Sequence, residues 1–171
     1  MLESMVYILT KDRPNNSYEE WQSGWAAYCA YLESVEGQLP HPAYDFATAP
    51  WHYDFSDHRA PHDGWLEALV VREPASGERK ENRRLEIVVQ LLAAYNDGHI
   101  ELKYSDVQNY SLASGDTDSS GQGDWLYDEV RLSERGSVLH EVEWSRGGSW
   151  LIECGDIVYT WRPLDFAEAP T

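Results

Sequence analysis

The sequence predicts an α+β fold that is mainly β: an antiparallel sheet curled into a sandwich or half-barrel, with one N-terminal amphipathic helix. Three observations lead there. Residues 17–37 carry a single apolar stripe at three- and four-residue spacing. Residues 40–64 hold four prolines, a density that predicts an irregular segment. From residue 65 to residue 163, short runs of alternating apolar and polar residues are separated by turn sequences. At 171 residues the chain is expected to form one domain, 1–171, long enough to bury a real core.

Each element follows from local chemistry. ESMVYILT (3–10) reads as a short strand, and residues 11–16, with Pro14, as a polar turn. Ser17 followed by Glu20 makes a capping box, which starts a helix over 17–37. Trp21, Trp25, Tyr28, Cys29 and Leu32 fall on one face of it, and Gly37 and Pro40 end it. The Pro/His segment 40–64 is expected to wrap the domain and pin itself through Trp51, Tyr53 and Phe55.

The β region 65–163 opens with WLEALVVR (65–72), followed by a polar loop, PASGERKEN. RLEIVVQLLAAY (84–95) suits a buried strand or a helix by its apolar content. Asn96-Asp97-Gly98 directly after it is a hairpin signal and assigns a strand, with HIELKY (99–104) returning. Residues 113–123 form a Gly/Ser/Asp-rich loop. WLYDEVRL (125–132), the SERG turn, VLHEVEW (138–144), WLIEC (150–154) and IVYTW (157–161) then make a meander, with a bend at Gly155-Asp156. Pro163 ends the sheet, and LDFAEAPT is expected to fray.

Composition narrows the function. Thirty Asp and Glu against 13 Lys and Arg give a net charge of -17, far beyond what solubility alone asks for. Such a field steers basic partners into contact and disfavours direct binding of nucleic acid or an anionic membrane. Eight Trp and eleven Tyr are not the composition of a disordered acidic tail. Cys29 and Cys154 stand far apart without metal spacing, as expected of buried free thiols. The start of the chain lacks a basic segment ahead of an apolar one, and no apolar run reaches membrane-spanning length, so a cytoplasmic location is expected.

Three groups of residues carry candidate chemistry. His41, His52, His58 and His62, interleaved with Asp45, Asp54, Asp57 and Asp63, offer the donor types that divalent metals accept. Pro61, between His58 and His62, forbids the helix that would aim that pair at one ion, so no metal site and no cofactor are assigned. His62-Asp63 resembles an acid–base pair or a simple turn cap. Glu141 and Glu143 share one strand face, across a hairpin from Asp128 and Glu129. Alternation reads these carboxylates as a solvated acidic face, with a binding face for a basic protein as the functional version. No nucleophile elbow, phosphate loop or dinucleotide fingerprint occurs, so no catalytic residues are assigned. The basic cluster Arg79, Lys80, Arg83 and Arg84 is mixed with Glu78 and Glu81 and reads as a solvated loop.

Residues 62–163, through HDGWLEALVV, AYNDGHIELKY, GDWLYDEVRLSERGSVLHEVEW and WLIECGDIVYTWRP, resemble a group of small acidic β-rich bacterial proteins. Some of these are similar to immunity proteins of polymorphic toxin systems, and residues 1–61 lie outside the likeness. The resemblance implies a non-enzymatic inhibitor that neutralises a basic toxin, such as a nuclease, with an acidic surface. The contact residues expected on that basis are Asp124, Trp125, Asp128, Glu129, Glu141 and Glu143. The alternatives are a metal-binding protein or hydrolase using His52, His58, His62 and Asp63, and an interaction domain that mimics nucleic acid.

Overall fold

Two helices precede ten strands in the computed structural model, which describes residues 6–10, 17–115 and 121–165. Helix α1 (Tyr18–Ser34) starts at the expected capping box. The Ser17 side chain accepts the Glu20 amide (3.2 Å), and the Glu20 carboxylate accepts the Ser17 amide (3.4 Å). Tyr28 and Leu32 are its buried residues. Gly24 sits in the helix interior, where glycine costs about 1 kcal/mol relative to alanine. A Cβ there would collide with the Tyr7 carbonyl, so the residue admits the N-terminal segment against the helix.

That segment corrects one expectation: of the strand expected over 3–10, residues 6–10 form bends, while 3–5 and the turn expected over 11–16 lie outside the described residues. A second correction is helix α2 (His41–Thr48), inside the segment expected to be irregular. Pro40 is its N-cap and Pro42 lies in its first turn, where a missing amide hydrogen has no helical partner to lose. Proline density alone therefore does not exclude a helix that begins at the prolines.

The strands are β1 (Trp65–Arg72), β2 (Ala75–Ser76), β3 (Asn82–Arg83), β4 (Glu86–Leu92), β5 (Gly98–Ser105), β6 (Asn109–Ala113), β7 (Trp125–Leu132), β8 (Val138–Trp144), β9 (Ser149–Cys154) and β10 (Asp156–Pro163). All are antiparallel. One four-stranded sheet has the order β1-β4-β5-β10 and the other β6-β9-β8-β7, while β2 and β3 form a small separate ladder within the expected loop. The sheets share one core, in which Ile87, Val89, Leu91, Ile100 and Leu102 of the first meet Val130, Val142, Trp150 and Ile152 of the second. They are not closed into a barrel; one isolated bridge, Trp65 with Asp124, joins the edge of β1 to the entry of β7. The Asn-Asp-Gly hairpin forms as expected, with Asn96 at φ 57°. Of the expected 113–123 loop, residues 116–120 lie outside the described residues, as do 166–171 of the tail. The Leu164 amide donates to the Asp97 carbonyl (2.7 Å). Among the described residues, no helix is long and apolar enough to cross a membrane.

The exposed edge of β7 is capped by side chains rather than by a strand. The Tyr28 hydroxyl accepts the Val130 amide (2.8 Å) and lies 3.0 Å from the Val130 carbonyl, while Tyr31 accepts the Leu132 amide (2.7 Å). The Tyr53 hydroxyl reaches the Asp128 carbonyl (3.1 Å), and His62 Nδ1 donates to the Leu126 carbonyl (2.6 Å). An unpaired strand edge is a template for further pairing, and here α1 and the turns after α2 cover it.

Candidate functional site

Five of the six residues expected to form a binding surface are buried. Trp125 and Glu129 are at 0% exposure, Asp128 and Glu141 at 3%, and Glu143 at 7%, while Asp124 is half-exposed. This corrects the expectation of a solvated acidic face. The alternation is as expected, with Glu129, Glu141 and Glu143 on one face of β7 and β8, and Asp128 on the other with His140 and Val142. Both faces, however, are covered.

The first face is covered by residues 6–10. Glu129 Oε1 accepts the amides of Tyr7 (2.7 Å), Ile8 and Leu9 (3.1 Å), and Glu143 Oε2 accepts both the amide and the hydroxyl of Thr10 (each 2.8 Å). Arg131 pairs with Glu141 and stands 3.5 Å from Glu129, which offsets two carboxylates placed directly opposite each other. Burial pushes the Glu129 carboxyl above its ordinary range; the amide of Ile8, the charge of Arg131 and the amides of Tyr7 and Leu9 act against it. Glu129→Ala is expected to strand three amides and cost about 2–4 kcal/mol. Hydrogen exchange at residues 7–9 checks this: protection should fall there first, and unchanged protection would show that the carboxylate does not hold the segment.

The second face holds a buried polar network. Asp128 accepts from Trp125 Nε1 (3.0 Å), His52 Nε2 (2.9 Å) and His140 Nε2 (2.8 Å). His52 Nδ1 donates to the Phe46 carbonyl (2.7 Å), and His140 Nδ1 is hydrogen-bonded to the Tyr104 hydroxyl (2.8 Å). Burial raises the Asp128 carboxyl, but the charge of His52 and the hydrogen bonds of His140 and His52 outweigh it and hold it well below the carboxylate range. With acceptors at both ring nitrogens, His52 is a double donor, the imidazolium partner of this carboxylate. The network joins α2, β7, β8 and β5 and so pins the two sheets and the helical segment together. It has the two-histidine, one-carboxylate composition of many metal centres, but its members bond directly to one another. Among the described residues no group of three or more such side chains is arranged to hold a metal ion.

The other histidines of the Pro/His segment are dispersed. His41 pairs with Asp45 on the surface (2.7 Å). His58 stacks on Tyr95 and pairs with Asp97. His62 stacks on Phe55 with 3.8 Å between centroids, and its Nε2 lies 3.5 Å from Asp63. Cys154 is buried and its thiol is pushed up to about 12 by burial, while Cys29 is half-buried.

A feature with room for a ligand lies elsewhere, between α1 and the α2 region. A cavity of about 460 Å³ is lined by Trp21, Trp25, Tyr44 and Tyr53, with Glu33 and Asp54 at exposed positions. Trp21 and Trp25 lie nearly parallel (5°, centroids 6.0 Å apart), and Trp25 meets Tyr53 edge-on at 4.8 Å. The Tyr53 ring is half-exposed, whereas its hydroxyl is buried on the β7 edge. Trp21 also walls a neighbouring cavity of about 440 Å³ with Tyr18, Phe55 and Tyr127. Sequence reasoning placed Trp21 and Trp25 in the core stripe and so missed the cavity. The available signal was charge: from residue 17 to residue 57 there is no Lys or Arg.

No family model matches the sequence, and no curated protein matches it.

Proposed function

We propose that this chain is a non-enzymatic binding protein that neutralises a basic partner, an immunity-type inhibitor of a toxin such as a nuclease. The observation that carries the reading is the one-sided charge of the helical segment. Residues 17–57 contain seven carboxylates (Glu19, Glu20, Glu33, Glu36, Asp45, Asp54 and Asp57) and no Lys or Arg. All but Glu20 and Asp57 are exposed, and those two are half-exposed. The same segment carries the half-exposed aromatic side chains Trp21, Trp25, Tyr44 and Tyr53. Aromatic anchors ringed by charge complementary to the partner suit a protein interface. The contact surface is therefore taken to be α1 and the α2 region, with Asp124 the one member of the sequence-derived set that remains partly accessible.

A pull-down with the tagged chain from its source organism tests the reading, first at low and then at high salt. One basic protein, recovered at low salt and associating at least ten-fold more slowly at high salt, is the expected result. Its toxin activity should fall on adding the chain. Recovery of no basic protein at either salt would overturn the proposal.

A further inference from the structure

We propose that the cavity between α1 and the α2 region is a receptor for an arginine side chain. This rests on the reading of the chain as a binder of basic proteins and names what the partner inserts. The cavity's volume of about 460 Å³ lies within the range of roughly 300–1,000 Å³ typical of ligand sites. It is more than one side chain fills, which leaves room for the residues that flank the arginine.

Its walls and charge select the occupant. Indole and phenol faces at Trp21, Trp25, Tyr44 and Tyr53 attract a cation through their ring quadrupoles, and Trp is the strongest of them. Glu33 and Asp54 supply carboxylates to which a guanidinium donates while its plane stacks on a ring. No Lys, Arg or His lines the cavity among the described residues.

A third contribution comes from the helix itself. The last turn of α1 contains Glu33 and no basic residue, so the negative end of the helix dipole stands uncompensated beside the cavity. The carboxylates also act on their neighbours. The Tyr44 phenol is raised by burial, then by Glu36 and Glu33, and the Cys29 thiol by burial, then by Glu33. An anionic ligand is repelled there, and a neutral apolar one leaves the carboxylates unused. The ammonium of lysine satisfies the charge but lacks the planar face that fits between rings.

The experiment titrates the intact chain with three probes: N-acetyl-arginine amide, N-acetyl-lysine amide and N-acetyl-norleucine amide. The indole ¹H–¹⁵N resonances of Trp21 and Trp25 report binding. Saturable shifts with the arginine probe, at least five-fold weaker with lysine and absent with norleucine, are expected. The E33Q/D54N variant, whose altered side chains are exposed, should weaken the arginine probe at least five-fold. The charge-matched E73Q/E78Q variant, on the exposed connection after β1, should leave it unchanged. Equal binding of norleucine amide, no saturable shift with arginine amide, or equal losses in both variants would each overturn the proposal.

The same variants separate this inference from the inhibitor reading. A basic protein captured equally well by wild type and E33Q/D54N would sink the cavity's role and leave the inhibitor reading standing. Arginine-specific binding alongside an empty pull-down would sink the inhibitor reading and leave the cavity.

Discussion

Replacing Asp128 with asparagine is expected to cost about 3–5 kcal/mol, the loss seen when one partner of a buried ion pair is removed. The substitution keeps the shape and removes the charge. Three donors converge on this carboxylate, from Trp125, His52 and His140, and an amide offers one acceptor oxygen and two further hydrogens in the same space. His52 then stays buried at 1% exposure beside no counter-charge. Against a total stability of about 5–15 kcal/mol, such a loss lowers the melting temperature by roughly 6–20 °C. Urea unfolding checks it: the midpoint should drop while the slope stays the same. Adding His52→Gln to Asp128→Asn should recover at least about 1 kcal/mol, because the stranded cation is gone. A single-variant loss under about 1 kcal/mol would mean that the carboxylate is not the ionic centre of the network. The sign of its pH dependence follows from its depressed folded-state pKa. The stabilisation is present above the unfolded value of about 4 and is lost as pH falls through the folded value.

The alkaline side carries the second large effect. Burial raises the phenols of Tyr28, Tyr53 and Tyr104 well above their ordinary value, raises Tyr159, and pushes the Cys154 thiol up to about 12. A group raised in the folded state contributes stability that is fully present below its unfolded pKa. That contribution is lost as pH climbs toward the folded value. Unfolded thiols ionise near 8.5 and phenols near 10, so the decline begins around pH 9 and steepens above about 10. Each phenol with a buried hydroxyl kept neutral by the fold costs about 1.4 kcal/mol per pH unit beyond that point, so Tyr28, Tyr53 and Tyr104 together consume an ordinary domain's stability within about two to three units. Far-UV circular dichroism and tyrosinate absorbance, followed together, should show these phenols ionising in one step with the loss of structure. Complete tyrosine ionisation with the dichroism intact would refute the assignment of these hydroxyls as buried and bonded.

Local chemistry made much of this fold readable. The Ser17/Glu20 box, the Asn96-Asp97-Gly98 hairpin and the alternation of β8 each act over a few residues, and each element stands where its pattern puts it. Helix α2 was hidden because its prolines were weighed by number rather than by position in the first turn. β6 was hidden because Asn109–Ala113 is mostly exposed and sits on a sheet edge, with little apolar pattern. The candidate site was less legible for a deeper reason. Period-two alternation tells which side chains share a face of a strand, and here it grouped Glu129, Glu141 and Glu143 correctly. What covers a face is a non-local fact. In this chain the cover is residues 6–10, some 120 positions away from the carboxylates that bind them.

The tyrosine cap on β7 sets how this protein would fail. Hydroxyls on α1 close the Val130–Leu132 half of the edge, so that part of the cover leaves with the helix, not one bond at a time. A chain whose helix has lifted would bare the Val130 amide and carbonyl and the Leu132 amide beside two otherwise intact sheets. Such a species is sticky before it is unfolded. Aggregation would therefore track the docking of α1 rather than global stability, and a variant with a sound core but a loosened helix would precipitate first.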